Sequence, residues 1–280
     1  MSSRRKKVKA EKVPAPAFVP RPFEGLPGET DWVALREVVP SATAPLSLKD
    51  GSAVTLATVL PMAWPGMVRA DGKRFLGLQV ASRSGDASRD LAAVLEDVVT
   101  AAPGTSVGTS GLPAPGARLQ DLLTDAPLEV TVHDGFDFWV EGADDPDGQL
   151  AGAMESANAT VIPTKRLTSV TSAYWCRMRD RAHLRWVLPH DEEPLLDALA
   201  RMSAAGTLSL GEGTRFVGSF RAHGLLAPVW DLPAEMSADE VEAPAQGWSD
   251  RLDEALAETG LTEQARRARQ GLVNRQLTLR

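Results

Sequence analysis

Four histidines, one cysteine and one tyrosine are the scarce reactive side chains of this 280-residue chain. Two of the histidines precede an aspartate, as His133-Asp134 and His190-Asp191. Pairs of this kind hold a metal in phosphohydrolases, but only with further His and Asp side chains facing the same ion. Here Asp134-Gly135 reads as a turn and Asp191 as a helix cap, so the four residues form a polar site only if folding unites them. His183 and His223 stand alone. Cys176 lies between Trp175 and Met178, and Arg177 and Arg179 alternate around a strand, which suits a buried thiol better than an activated one. A lone cysteine excludes an internal disulfide framework and a cysteine-based zinc cluster. In Asp144-Asp145-Pro146-Asp147-Gly148, a calcium-loop register would put Ala143 and Met154 where the first and twelfth ligands belong. Gly211-Glu212-Gly213 is too short to cradle a phosphate. No catalytic residue, metal ligand or cofactor is therefore assigned, and the reading leans away from an enzyme.

Charge is distributed unevenly. The net charge is −7, yet residues 1–22 carry Arg4, Arg5, Lys6, Lys7, Lys9, Lys12 and Arg21 against Glu11 alone. Arg4, Arg5, Lys6, Lys7, Lys9 and Lys12 are candidate contacts for RNA or another polyanion. The basic stretch is not followed by an apolar run, so it does not read as a secretory signal. Val54–Trp64, the longest apolar stretch, is broken by Thr55, Thr58 and Pro61 and is too short to span a bilayer. The expectation is a cytoplasmic protein with no membrane contact.

Residues 14–28, rich in proline, read as an extended arm whose Phe18 and Phe23 dock on a body or a partner. Thr30 or Asp31 caps a short helix bearing Trp32, Leu35 and Val39. Asp50-Gly51, Asp71-Gly72 and Asp134-Gly135 each adjoin alternating apolar runs, the pattern of antiparallel hairpins. Leu91, Val94, Leu95, Val98 and Val99 repeat at helical spacing. Further on, a helix through Leu150 and Met154, strands over 169–178 and 183–188, a helix bearing Leu195, Leu196 and Leu199, and strands near 215–220 and 225–230 follow. Ser237-Ala238-Asp239-Glu240 is a capping box that opens C-terminal helices, the last rich in arginine.

The order repeats. Trp64-Pro65-Gly66-Met67 is echoed by Trp175-Cys176-Arg177-Met178, Arg74-Phe75-Leu76 by Arg185-Trp186-Val187, and Gly116-Ala117-Arg118-Leu119 by Gly213-Thr214-Arg215-Phe216. The expected fold is α+β, with two tandem related α-β-β-β-α-β-β units built on antiparallel sheets. Its divisions are a flexible basic, Pro-rich arm (1–28), a first unit (29–145), a second unit (146–234) and C-terminal helices (235–280). Tryptophans beside strands serve the core, or else an exposed patch for a partner; Trp64 and Trp175 join Phe18 and Phe23 as candidate partner-binding residues.

The run from Phe18-Val19-Pro20-Arg21-Pro22-Phe23 through Thr30-Asp31-Trp32 to Arg36-Glu37, with the closing Arg266-Arg267-Ala268-Arg269 and Asn274-Arg275-Gln276, resembles an uncharacterised actinobacterial family. The resemblance covers the chain after its basic tail and implies no activity, because that family is a domain of unknown function. Some of its members carry the labels preprotein translocase or topoisomerase. This chain has no Gly-x-x-x-x-Gly-Lys-[Ser/Thr] loop and no cysteine-rich tail, and its sole tyrosine, Tyr174, falls in an expected strand. The element order is also similar to small chaperone-like folds that bind secretion substrates. The leading expectation is a non-catalytic, chaperone-like adaptor for a protein partner. The alternatives are an RNA- or ribosome-associated protein using its basic tail, and an enzyme of unrecognised class.

Overall fold

Turn chemistry opens the architecture. The computed structural model describes residues 17–81, 83–108, 116–142 and 148–278. Helix α1 (Glu29–Glu37) leads into a hairpin of β1 (Ala42–Ser47) and β2 (Ala53–Ala57), and a second hairpin joins β3 (Gly66–Val68) to β4 (Arg74–Gly77). Gly51 at φ 83° and Gly72 at φ 85° supply the left-handed residue of each turn. Their aspartates are not left-handed, so these are not the two-residue turns in which both residues take positive φ. Helix α2 (Ala87–Thr100) follows, capped by the Asp86 carboxylate, which accepts from the backbone of Ser88 and Arg89. Short β5 (Thr105–Val107), α3 (Leu119–Leu122) and β6 (Thr131–Val132) complete a six-stranded sheet in the order β5-β3-β4-β2-β1-β6.

The second half runs α4 (Gln149–Asn158), β7 (Thr164–Arg166), β8 (Ala173–Met178), β9 (Arg181–Trp186), α5 (Glu192–Ala205), β10 (Arg215–Ala222) and β11 (Leu225–Leu232). This is the expected α-β-β-β-α-β-β succession. Helices α6 (Ala238–Ala257) and α7 (Glu263–Val273) and strand β12 (Gln276–Thr278) follow. The second sheet is ordered β12-β10-β11-β9-β8-β7. The C-terminal segment is thus not a separate appendage, since β12 pairs with β10 in parallel and α7 packs on α5.

The α+β class and the mostly antiparallel sheets stand as expected. The likeness between halves is carried by one cassette: hairpin β3–β4 with 14-residue α2, and hairpin β8–β9 with 14-residue α5. It stops at the next neighbour, because β4 pairs with β2 in parallel while β9 pairs with β11 antiparallel. Gly116-Ala117-Arg118-Leu119 leads into a helix, whereas Gly213-Thr214-Arg215-Phe216 leads into a strand. The hairpin expected at Asp134-Gly135 does not form. Phe136 stacks on Trp139 at 4.2 Å in a single helical turn, and the Asn158 carboxamide of α4 accepts the Phe136 N–H at 2.7 Å.

Among the described residues two large cores hold the molecule, beside a small one of Ala57, Leu60 and Phe75. Trp186, Trp230 and Trp248 pack between the second sheet and α5 and α6, and the indole N–H groups of Trp230 and Trp248 both donate to the Leu208 carbonyl. The other core crosses the boundary between halves. It joins Leu46, Leu56 and Leu76 of the first sheet, Trp32 and Leu35 of α1, and Tyr174, Val187, Leu225 and Ala227 on the second sheet's opposite face. The arm joins it through Phe23 and Leu26: Phe23 is fully buried, stacked on Trp32, and Pro22 accepts hydrogen bonds from Arg118 and Gln120. Residues 17–28 are therefore docked, and the basic residues 4–12 lie outside the described residues.

Candidate functional site

Two polar clusters join the halves, one sealed and one open. The sealed cluster centres on Asp31, which is 3% exposed. Its carboxylate accepts from Ser172 Oγ at 2.7 Å, Tyr174 Oη at 3.0 Å and Arg166 Nη2 at 2.8 Å, and Thr30 Oγ1 lies 2.7 Å from Ser172 Oγ. Burial, with the Asp31 charge beside it, pushes the Tyr174 hydroxyl well above its ordinary pKa. A buried carboxylate needs this many donors to remain in place. Ser172 and Tyr174 are fully buried, so the cluster is a clamp and not a site that receives substrate.

The open cluster is a cleft of about 660 Å³ where the arm, the end of α1, the loop after β4 and the β10–β11 turn meet. Local structure explains each wall. His223 and Gly224, at φ 47° and 83°, form the two-residue turn in which both residues are left-handed. A side chain at Gly224 would lie 2.8 Å from Arg21 Cβ, so only glycine lets the arm pass there. The Val19 N–H donates to the Gly85 carbonyl at 2.9 Å and pins the arm to the start of α2. The Gln79 carboxamide donates to the carbonyls of Leu35 and Val39, both at 2.7 Å, and closes the end of α1. Arg36 returns the contact by donating to the carbonyls of Leu78 and Val80.

Charges in the cleft are mutually engaged. His223 Nε2 lies 2.8 Å from Glu37 Oε1, its ring edge-on to Phe23 at 5.3 Å. Burial pushes the Glu37 carboxyl up, but the His223 hydrogen bond and the charges of His223 and Arg36 outweigh it and hold the group below the ordinary carboxylate value. Burial lowers the Arg36 guanidinium. Arg221 pairs with Glu192, and the Glu192 carboxyl falls in consequence. A second hollow of about 200 Å³, lined by Ile162, Thr164 and Arg185, shares Glu37 and Gln79 with the first. Between these groups the lining is apolar, with Val19, Pro20, Val80 and Ala81, and Phe18 stands 75% exposed at the rim.

The residues singled out from sequence fall elsewhere. His133 Nε2 lies 2.8 Å from Thr43 Oγ1 with its ring against Phe138, and burial lowers its pKa. Asp134 is exposed. His190 is half-buried, and Asp191 stands at the N-cap of α5 without capping it, its carboxylate taken instead by Arg21 at 3.0 Å. The two His-Asp pairs thus have separate partners, and among the described residues no three His, Cys, Asp or Glu side chains are placed to hold a metal ion. Cys176 is buried, which raises its thiol pKa. Phe23 and Trp175 are core residues, the Trp175 indole donating to the Met236 carbonyl at 3.0 Å, so neither offers a surface to a partner. Trp64, at 38% exposure, and Phe18 are presented to solvent. The arginines of α7 are engaged, Arg267 with Glu263, Arg269 with Glu193 and Asp197 and Arg266 with the Leu261 carbonyl, and Arg275 just beyond the helix donates to the carbonyl of Gly271. Sequence reasoning missed Asp31, Glu37 and His223 as seam residues. His223-Gly224 sits between two alternating runs, the signal already used for the Asp-Gly pairs.

Among the described residues no helix is long and apolar enough to cross a membrane. A family profile described as a family of unknown function (DUF5926) matches residues 22–280. No curated protein and no solved structure matches the chain.

Proposed function

This chain belongs to that family of unknown function, DUF5926, so its role is read from its own geometry, and we propose that it is a cytoplasmic, non-catalytic adaptor that receives a protein partner in the seam cleft. One observation carries the reading. The cleft is large enough for several side chains, both halves build it, and its ionisable groups are already paired with one another. Paired groups orient a ligand and reject misfitting ones, but they leave no base poised beside a nucleophile. The apolar lining and the rim residue Phe18 suit a segment of protein chain with apolar side chains. A single buried thiol is at home in a reducing compartment.

The test is a photo-crosslinking amino acid placed at Phe18 or Ala81 in the native host, with Asp50 as the control position away from the cleft. Cleft positions are expected to capture a discrete protein that the control does not. Identical products from all three positions would remove the proposal.

A further inference from the structure

Among the described residues, a basic run stands at the tip of the β8–β9 hairpin. The protein is acidic, with a pI near 5.2, yet this tip reads Arg177-Met178-Arg179-Asp180-Arg181. Strand pairing adds a further cation. Lys165 of β7 lies opposite Trp175, beside Arg177. Arg215 of β10 reaches the same end of the sheet through Asp231. Asp180 is part of the tip itself, and Asp231 is shared by Arg181, His183 and Arg215. Among the described residues Lys165, Arg177 and Arg179 have no ion-pair partner, and all three are exposed.

Geometry adds a second element. The Arg177 guanidinium lies over the Trp175 ring, 5.0 Å from its centroid. That is within cation–π range of the indole, and Arg177 itself is exposed, so its guanidinium is accessible to a second flat group. Arg179 holds φ 55°, a left-handed conformation that suits glycine better, yet the position carries a cation.

We propose that this hairpin tip binds single-stranded RNA. Lys165, Arg177 and Arg179 contact phosphates, and a base stacks on the exposed Arg177 guanidinium. Unpaired cations around a stacking plane are what an unstacked strand requires, whereas a flat anionic surface would draw on charge alone.

The experiment uses the full chain with fluorescein-labelled 20-nucleotide oligouridylate, its anisotropy read from 50 to 200 mM salt. Wild type is compared with K165Q/R177Q/R179Q, with R177K, and with a variant in which Arg4, Arg5, Lys6, Lys7, Lys9 and Lys12 are glutamine. The triple variant is expected to bind at least about tenfold more weakly, with a log–log salt slope shallower by about 2, since each single-strand phosphate contact contributes roughly 0.7. R177K should keep the slope and still lose affinity. Near-UV circular dichroism checks that the substituted surface leaves the fold intact. Wild type that fails to bind, an unchanged triple variant, a loss confined to the tail variant, or tighter binding to phosphatidylglycerol vesicles or to the matching DNA strand would each overturn the proposal.

Discussion

At the residue scale, the sealed aspartate and the seam glutamate make opposite predictions. Asp31→Ala strands the buried end of Arg166 and the hydroxyls of Ser172 and Tyr174, so it should cost about 3–5 kcal/mol in urea unfolding. Tyr174→Phe removes one hydrogen bond with little change of shape and should cost about 1 kcal/mol. Glu37 acts through pH. Its carboxyl is depressed in the folded protein, so the stability it contributes is present above the unfolded value of about 4.3 and is lost as pH falls through the folded one. The urea midpoint should therefore drop below pH 4.3, and Glu37→Gln should lower the midpoint at pH 6 and thereby shrink that drop, the two proteins converging in acid. A variant with the full wild-type acid sensitivity would show that the seam pair does not contribute. None of these partners was legible locally: Arg166 lies 135 residues from Asp31, and His223 lies 186 from Glu37. Sequence gave the residue types, while the meeting of distant elements gave the site.

At the element scale, one substitution with opposite signs tests how the sheets and helices fit. Gly66 in β3 lies beneath α2, and an added methyl would sit 2.4 Å from Val98 Cγ2. Gly66→Ala should therefore destabilise by about 1–3 kcal/mol. Gly152 inside α4 has nothing within 4 Å of the added atom, so Gly152→Ala should stabilise by about 0.5–1 kcal/mol through helix propensity alone. Thermal melts of the two variants give the comparison directly. Elements with their own periodicity were read well. Helix α2 follows from Leu91, Val94, Leu95 and Val98, all now buried. Asp134-Gly135 misled because its surroundings are set from outside: a methyl on Gly135 would lie 2.7 Å from the Asn158 side chain, 23 residues further on. The repeated Trp-x-x-Met motif misled in the same way. Trp64 precedes its strand and is part-exposed, whereas Trp175 lies within its strand and is buried.

At the scale of the whole molecule, the shared core predicts a single unfolding transition. Tyr174, Leu225 and Ala227 of the second sheet, with Val187 just after β9, pack in the same core as Leu35 and Leu56. Tryptophan fluorescence and far-UV circular dichroism should then give coincident curves, and residues 146–280 expressed alone should expose that face and associate. Two separate transitions would mean that the halves are independent. The α+β class and the mostly antiparallel sheets were legible from turn signals and helix periods. The union of the two sheets through α1 was not, because the face that receives it shows only ordinary strand alternation. The sealed aspartate also carries a consequence for biosynthesis. Its three donors come from residues 166, 172 and 174, so a nascent chain on the ribosome holds Asp31 without them until those codons are read. At about 5–20 residues per second that interval is roughly 7–29 s. Maturation of the N-terminal half therefore waits on translation of the other, which makes premature termination a route to a chain that cannot hide its charge.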